Sequence, residues 1–263
     1  MAYFVAKAPT PVLNKADFSS VFGGAQGSLP FDEVNLVRAL EMIAFPETVF
    51  EIIEEHPSHI LEVRTAEYPT LKALYLDERF GKKETSRPPE RKKQLPSKEI
   101  LLKKMKAQLG KPYIWGGNIA VGVPELLKYY PPKKKLSDLE DASWSCKGVD
   151  CSGLLYEATE GALPRNTQDL LFAGESVSVQ NLSWEEISKT LKPLDLLIWN
   201  GHMVVVCDEK SVIESKHEWG GVCLTSIQKR LKIMREDDHM KPADDPIHVL
   251  QNPGVFLVRR FIV

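Results

Sequence analysis

Residues 149–155 read Val149-Asp150-Cys151-Ser152-Gly153-Leu154-Leu155, a cysteine between an acid and two small residues, with an apolar run behind it. The run keeps helical spacing as far as Glu160 and stops at Gly161, so it predicts a helix whose first turn holds Cys151. The positive end of a helix dipole stabilises a thiolate, which is the reactive form of cysteine. Cys151 is therefore a candidate nucleophile, although a cysteine in apolar sequence is commonly a small core residue.

Short apolar segments downstream alternate with turn sequences, which indicates antiparallel strands. The predicted strands cover 194–199, 202–207, 211–214 and 255–263, and the turns are Asn200-Gly201 and Asp208-Glu209-Lys210. A further helix is predicted over 99–109, where apolar residues have helical spacing and Gly110 follows as a cap. Helices that precede a run of strands predict an α+β domain.

A base for the cysteine stands at the start of the second predicted strand. His202 follows a tight turn, so its imidazole can lie at the sheet edge and exchange a proton with a thiol. The hairpin after this strand returns Glu214 to the side of His202, where a carboxylate would orient the ring. His217 is the rival orienter if a bulge brings it near. The non-catalytic alternatives are that His202 packs at a strand edge and that Glu214 is a solvent-exposed residue of the hairpin.

Composition limits the classes of function. The chain has 263 residues, and 43% of them are hydrophobic. Its formal net charge is −2, so it has no overall positive charge that would attract nucleic acid or an anionic membrane. We expect no membrane span, because no apolar run is long enough. The start of the chain lacks the features of a signal peptide, and this favours a cytoplasmic location.

The four cysteines, Cys146, Cys151, Cys207 and Cys223, contain no CxxC pair. A disulfide between Cys146 and Cys151 is one alternative, and separate thiols in a reducing compartment fit the pattern better. Their spacing from His202 and His217 matches no common zinc pattern. We therefore expect neither a metal nor another cofactor.

The charged, proline-bearing stretch from Lys82 to Pro96 separates two regions of different pattern. We predict a small β-barrel domain over 1–81, a linker over 82–97 and a catalytic domain over 98–263. Short strands predicted at 48–53 and 60–64 support the barrel. Residues 31–44 suit either a helix or two short strands.

Several ordered sequence blocks together resemble one family. They are Gly110-Lys111-Pro112-Tyr113-Ile114-Trp115-Gly116-Gly117, Asp150-Cys151-Ser152-Gly153-Leu154, Leu163-Pro164-Arg165, Asp195-Leu196-Leu197 and Gly201-His202. Over residues 100–263 the chain resembles the NlpC-type family of bacterial cell-wall cysteine peptidases. The resemblance implies a papain-like fold and a Cys–His pair with a third polar residue. Many members have histidine at that third position, where this chain has Glu214.

The region before the linker resembles the SH3-like barrel that precedes the catalytic domain in some members. The resemblance implies an α+β protein, with a papain-like catalytic domain preceded by a small SH3-like β-barrel. It also implies hydrolysis of the bond between γ-D-glutamate and a diamino acid in peptidoglycan-derived peptides, with a preference for a free N-terminal L-alanine. An acyltransferase or amidase that uses the same thioester, and a non-catalytic wall-peptide binding module, are the alternatives.

The resemblance also implies roles for further residues. The Cys151 N–H and the Tyr113 hydroxyl are candidate oxyanion donors. The candidate substrate-binding residues are Asp150, Ser152, Arg165, Thr167 and Trp115, with Glu41 and Tyr68 from the barrel. Tyr113 and Trp115 also suit plain core aromatics. The 118–149 spacer is longer than is usual between the double glycine and the cysteine, and it suits a flap over the groove or a surface excursion.

Overall fold

The computed structural model describes residues 2–24 and 27–261 and combines helices with mostly antiparallel sheets, so the predicted α+β class is confirmed. In chain order the strands are β1 Ala2–Ala6, β2 Thr10–Leu13, β3 Leu40–Ala44, β4 Val49–His56, β5 Ile60–Arg64, β6 Leu74–Asp77, β7 Gly81–Glu84, β8 Asn118–Ile119, β9 Gly148–Val149, β10 Glu175–Val177, β11 Leu196–Trp199, β12 His202–Val206, β13 Ser211–Lys216, β14 Gly221–Ser226, β15 Lys241–Pro242 and β16 Val255–Arg260. The helices are α1 Phe18–Val21, α2 Lys98–Lys106, α3 Glu125–Tyr129, α4 Asp138–Trp144, α5 Cys151–Ala158, α6 Thr167–Leu170, α7 Trp184–Thr190, α8 Ile227–Glu236 and α9 Pro246–Gln251. Across residues 2–24 and 27–261, none of these helices is long and apolar enough to cross a membrane.

The chain forms two compact units that each use two stretches of sequence. The N-terminal unit comprises the described residues up to Lys93 together with Lys111–Gly153. The C-terminal unit comprises Gln94–Gly110 together with the described residues from Leu154 onward. The division into these units differs from the predicted domain boundaries at 81 and 98. The predicted domains stay a prediction.

The N-terminal unit is built on a seven-stranded sheet in the order β3-β2-β6-β5-β4-β1-β7. The strands predicted at 48–53 and 60–64 are confirmed as β4 and β5. In the undecided stretch 31–44, β3 occupies only the last five residues, and no helix forms there. β7 extends to Glu84, inside the stretch predicted as linker, because its charged residues pair with β1 at the sheet edge. An SH3-like barrel stays a prediction for this unit.

The spacer 118–149 is part of the core of this unit, so neither the flap nor the surface excursion describes it. Trp144 of α4 is 1% exposed and lies in one apolar cluster with Phe18 and Phe22. The Trp144 Nε1–H donates to the Tyr130 carbonyl at 2.8 Å, and the Tyr130 hydroxyl donates to Asp77 at 2.7 Å. These aromatic residues and the strands of the sheet pack into one hydrophobic core.

The C-terminal unit is built on a sheet in the order β10-β16-β11-β12-β13-β14, with β15 beside β16. The predicted helices over 99–109 and 151–160 are confirmed as α2 and α5, and the predicted strands are confirmed as β11, β12, β13 and β16. Residues 262–263 of the predicted closing strand lie outside the described residues. Helix α8 was not predicted, and its apolar face, which includes Leu231 and Met234, packs into the core of this unit.

Candidate active site

Cys151 is the first residue of α5, and the acid before it caps the helix. The Asp150 carboxylate accepts a hydrogen bond from the Gly153 backbone N–H at 2.7 Å, as an N-cap side chain does. Its other oxygen accepts from the Gly116 N–H at 3.0 Å. Asp150 is 8% exposed, and it thereby ties the helix start to the loop of the double glycine. Its predicted role in binding a substrate ammonium stays a prediction.

The glycines of both motifs allow two backbone segments to approach closely. A Cβ on Gly153 would lie 2.0 Å from the Gly117 carbonyl oxygen, and one on Gly116 would lie 2.3 Å from the Leu40 carbonyl oxygen. Gly116 also has φ +70°, a conformation that favours glycine. Gly153 thus lets the start of α5 approach the double-glycine loop, and Gly116 lets that loop approach Leu40.

Tyr113 and Trp115 lie on the loop that leads to the double glycine. The Val149 N–H donates to the Pro112 carbonyl at 3.2 Å, which places the Tyr113 backbone beside the strand that precedes Cys151. Tyr113 and Trp115 both line a small cleft with apolar residues. Trp115 is 37% exposed, and the Arg38 guanidinium lies 4.2 Å from its ring centroid. An exposed ring suits the binding role predicted for Trp115 better than a core role.

Glu41 and Tyr68, which are both predicted substrate-binding residues, contact each other directly. The Tyr68 hydroxyl donates to Glu41 Oε2 at 2.6 Å, and Asn14 Nδ2 and Lys72 Nζ donate to Oε1 at 2.6 and 2.9 Å. Burial acts to raise the pKa of Glu41, but the hydrogen bonds from Tyr68, Lys72 and Asn14 outweigh it, so the pKa is lowered. This cluster holds an ionised carboxylate that is 8% exposed.

In the C-terminal unit, His202 and Glu214 form a hydrogen-bonded pair. His202 begins β12 and Glu214 lies in β13 on the same face of the sheet. The Nε2–H donates to Glu214 Oε2 at 2.8 Å, since a carboxylate only accepts. This bond assigns the proton to Nε2 in the neutral ring and makes Nδ1 the nitrogen for proton exchange. His217, the rival orienter, begins a 3-10 turn after β13, and the bond from Nε2 goes to Glu214.

Trp199 and Arg230, which were not predicted as site residues, contact this pair. The Trp199 and His202 rings lie 5.0 Å apart across β11 and β12. Arg230 of α8 donates from Nε to Glu214 Oε1 at 2.7 Å and from Nη2 to Oε2 at 3.2 Å. An available signal was the arginine among Ile227, Leu231 and Met234 at helical spacing, because an arginine on an apolar face needs a buried partner.

The remaining predicted residues lie near the ends of α5 and α6. Ser152 donates to Asp150 at 3.3 Å in the first turn of α5. Arg165 is 2% exposed in the loop before α6, and Thr167 begins that helix. Their roles in substrate binding stay predictions.

One group of side chains has the spacing of metal ligands. Ligand atoms of Glu54, His56 and Glu62 lie within 4.8 Å of one another on β4 and β5. His56 Nε2 lies 3.6 Å from Glu62 Oε2, which is an ion-pair distance, and Glu54 is exposed. The group includes none of the predicted catalytic residues.

Several solved structures align with this chain at TM-scores below 0.4, while no family model and no curated protein matches its sequence. An NlpC/P60 family protein from Bacillus cereus has 16% identity and a TM-score of 0.36, over 98% of this chain and 63% of that one. The peptidoglycan hydrolase RipB from Mycobacterium tuberculosis has 21% identity and a TM-score of 0.38, over 63% of this chain and 65% of that one. A P60 domain from M. avium subspecies paratuberculosis has 22% identity and a TM-score of 0.37, over 62% of this chain and 93% of that domain. The match thus spans less than two thirds of the first two proteins.

Proposed function

We propose that this protein is a cysteine peptidase that hydrolyses the bond between γ-D-glutamate and a diamino acid in peptidoglycan stem peptides. The observation that carries the proposal is the His202–Glu214 pair, in which a buried carboxylate holds one imidazole nitrogen and directs the other to proton exchange. Cys151 is the first residue of α5 and lies in the motif that resembles the family, which supports its role as the nucleophile.

In the proposed reaction, His202 Nδ1 takes the proton of the Cys151 thiol, and the thiolate attacks the γ-glutamyl carbonyl carbon. The Cys151 N–H and the Tyr113 hydroxyl donate to the oxyanion of the tetrahedral intermediate. When the carbon–nitrogen bond breaks, His202 protonates the leaving amine and a thioester remains. His202 then takes a proton from water, which attacks the thioester, and the γ-glutamyl carboxylate and the thiol are released.

The proposed substrate has a free N-terminal L-alanine. The Glu41 cluster supports this selectivity, because an ionised and nearly buried carboxylate is the partner that an ammonium group needs. In this proposal, the substrate ammonium shares Glu41 with Tyr68, Asn14 and Lys72.

Replacement of the nucleophile tests the proposal. With L-Ala-γ-D-Glu-diaminopimelate as substrate, we expect Cys151→Ala to lower kcat by at least about 10³-fold without a change in the circular dichroism spectrum. Cys207→Ala, which removes a buried thiol at the end of β12, should keep kcat within about two-fold. Undiminished turnover by Cys151→Ala would refute the assignment.

The same digestion separates hydrolysis from acyl transfer and a small substrate from the intact wall. Mass spectrometry of the products, with and without an added amine, should show the free γ-glutamyl carboxylate in both cases. Parallel digestion of intact sacculi shows which form is accepted. A protein that processes neither substrate, and whose Cys151 does not react with iodoacetamide at neutral pH, would be a binding module instead.

A further inference from the structure

Arg230 is a nearly fully buried cation in contact with the residue that orients His202. Its side chain is 1% exposed, and it projects from α8 towards β13. Two of its nitrogens reach the two oxygens of Glu214, at 2.7 and 3.2 Å. This paired geometry is the fork with which a guanidinium holds a carboxylate, and it fixes the plane of the carboxylate as well as its position.

The surroundings of Arg230 hold the guanidinium itself in place. Its third nitrogen, Nη1, donates to Asp238 Oδ2 at 3.1 Å, just beyond the end of α8. The guanidinium carbon lies 5.2 Å from the ring centroid of Trp199 and 5.5 Å from that of Trp219. Removing a charge of this kind from water is costly, and two carboxylates and two aromatic rings offset the cost here.

Glu214 Oε2 is the atom through which Arg230 can reach the histidine. This oxygen accepts both from Arg230 Nη2 at 3.2 Å and from His202 Nε2 at 2.8 Å. If the carboxylate rotated about its last bond, Oε2 would leave His202, and the imidazole would lose the contact that sets its orientation. The guanidinium fork opposes this rotation, because rotation would break two charge-assisted bonds at once.

We propose that Arg230 is a positioning residue, which fixes the Glu214 carboxylate so that Glu214 holds His202, while Asp238 fixes Arg230 in turn. The inference rests on the proposed function and extends the pair to a line of four residues, from His202 through Glu214 and Arg230 to Asp238. It differs from a purely structural ion pair between α8 and β13 in one respect. Loss of Arg230 should impair the chemical step through Glu214, and not merely loosen the fold.

Steady-state kinetics of four proteins test the proposal: wild type, Arg230→Lys, Arg230→Met and Arg235→Met. We expect Arg230→Met to lower kcat by about 10²-fold, with KM within about three-fold, because a small displacement of a catalytic group has an effect of that size. Arg230→Lys keeps the charge but loses the fork, so its kcat should lie between those of wild type and Arg230→Met. Arg235 of α8 is exposed and pairs with Glu236, so Arg235→Met is the matched control with unchanged kcat.

A double-mutant cycle with Glu214→Gln shows whether the effect passes through Glu214. If it does, Arg230→Met should lower kcat by less than about three-fold in the Glu214→Gln background, against about 10²-fold in the wild-type background. Full additivity of the two losses would overturn the proposal. If Arg230→Met fails to fold by circular dichroism, Arg230→Lys takes its place in the cycle, and an unchanged kcat in that folded variant would equally overturn it.

A measurement that does not depend on enzyme activity tests the role of Arg230 separately from the proposed function. The imidazole N–H that donates to Glu214 should give a downfield proton NMR signal, which Arg230→Met loses and Arg235→Met keeps. If the wild type lacks peptidase activity while this signal depends on Arg230, the proposed function fails and the positioning role stands. If the wild type is active and the signal persists unchanged in folded Arg230→Met, the positioning role fails alone.

Discussion

At the scale of single residues, the four cysteines differ in what their surroundings allow. Burial raises the pKa of Cys146 and of Cys207 to about 12, and burial also raises the pKa of Cys223, so these thiols stay protonated at neutral pH. Cys151 begins a helix next to a capping acid, in the position that favours a thiolate. The sequence motif distinguishes Cys151 from the others; Cys146 and Cys207 are buried thiols, and Cys223 is partly buried.

The Glu41 cluster gives a prediction at the same scale. Glu41→Gln removes the negative charge and replaces one of the two acceptor oxygens by a donor, but keeps the shape of the side chain. We expect the ratio of kcat/KM for the free tripeptide to that for its N-acetylated form to fall by about ten-fold or more, since a hydrogen bond to a charged group contributes about 1.5–3 kcal/mol. Glu33→Gln, at an exposed position of the same unit, is the control. An unchanged ratio would remove Glu41 from the ammonium site.

At the scale of elements, the spacer 118–149 covers the edge of a sheet. β3 is the outermost strand of its sheet, so one side of its backbone lacks a neighbouring strand. The Asn118 side chain occupies that side, where its Nδ2 donates to the Ile43 carbonyl and its Oδ1 accepts from the Ile43 N–H, both at 2.8 Å. One amide therefore satisfies two backbone groups that are buried with Ile43.

The stability of this edge should depend on that amide. Asn118→Ala leaves a buried donor and a buried acceptor on Ile43 unpaired, and each costs about 1–3 kcal/mol. We expect the free energy of unfolding to fall by about 2–4 kcal/mol in urea titrations that follow the tryptophan fluorescence of the chain. Asn181→Ala, at an exposed position of the C-terminal unit, should change it by less than about 0.5 kcal/mol. Equal stabilities of the two variants would contradict this account.

At the scale of the whole molecule, each unit carries a thiol whose pKa is raised by burial to about 12, Cys146 in the N-terminal unit and Cys207 in the C-terminal unit. In each case the pKa in the folded protein, about 12, exceeds the value of 9.0 for an ordinary thiol. The unfolded chain therefore loses these protons first as the pH rises. The stability that the neutral thiols provide is complete below pH 9 and is lost as the pH rises towards 12.

Alkaline unfolding should reveal this linkage. At pH 10, one unit above the pKa of the unfolded thiol, each buried cysteine should cost about 1.4 kcal/mol of unfolding free energy relative to pH 7. Urea titrations at both pH values, under reducing conditions, should show a smaller loss for Cys146→Ala/Cys207→Ala than for the wild type. The pH-dependent difference is the measured quantity, because both substitutions also lower stability at neutral pH. The same pH-dependent loss in both proteins would contradict the linkage.

Much of this protein could be predicted from sequence, where the signal is local. The helix that begins at Cys151, the strands on either side of Asn200-Gly201 and the α+β class all depend on periodicity, turns and caps within a few residues. Glu214 was found beside His202 because a hairpin fixes its own register.

The tertiary structure alone decided what depends on contacts between distant segments. Arg230 reaches Glu214 only because α8 packs against β13, and the distance between the residues in sequence does not determine that packing. Likewise, the unusual length of the spacer 118–149 favoured a flap or a surface excursion, yet Trp144 joins the core and Asn118 joins the edge of a sheet that ends before residue 85. Local propensity defines an element, but only packing defines its partner, because burial is a property of the whole arrangement and not of any one segment.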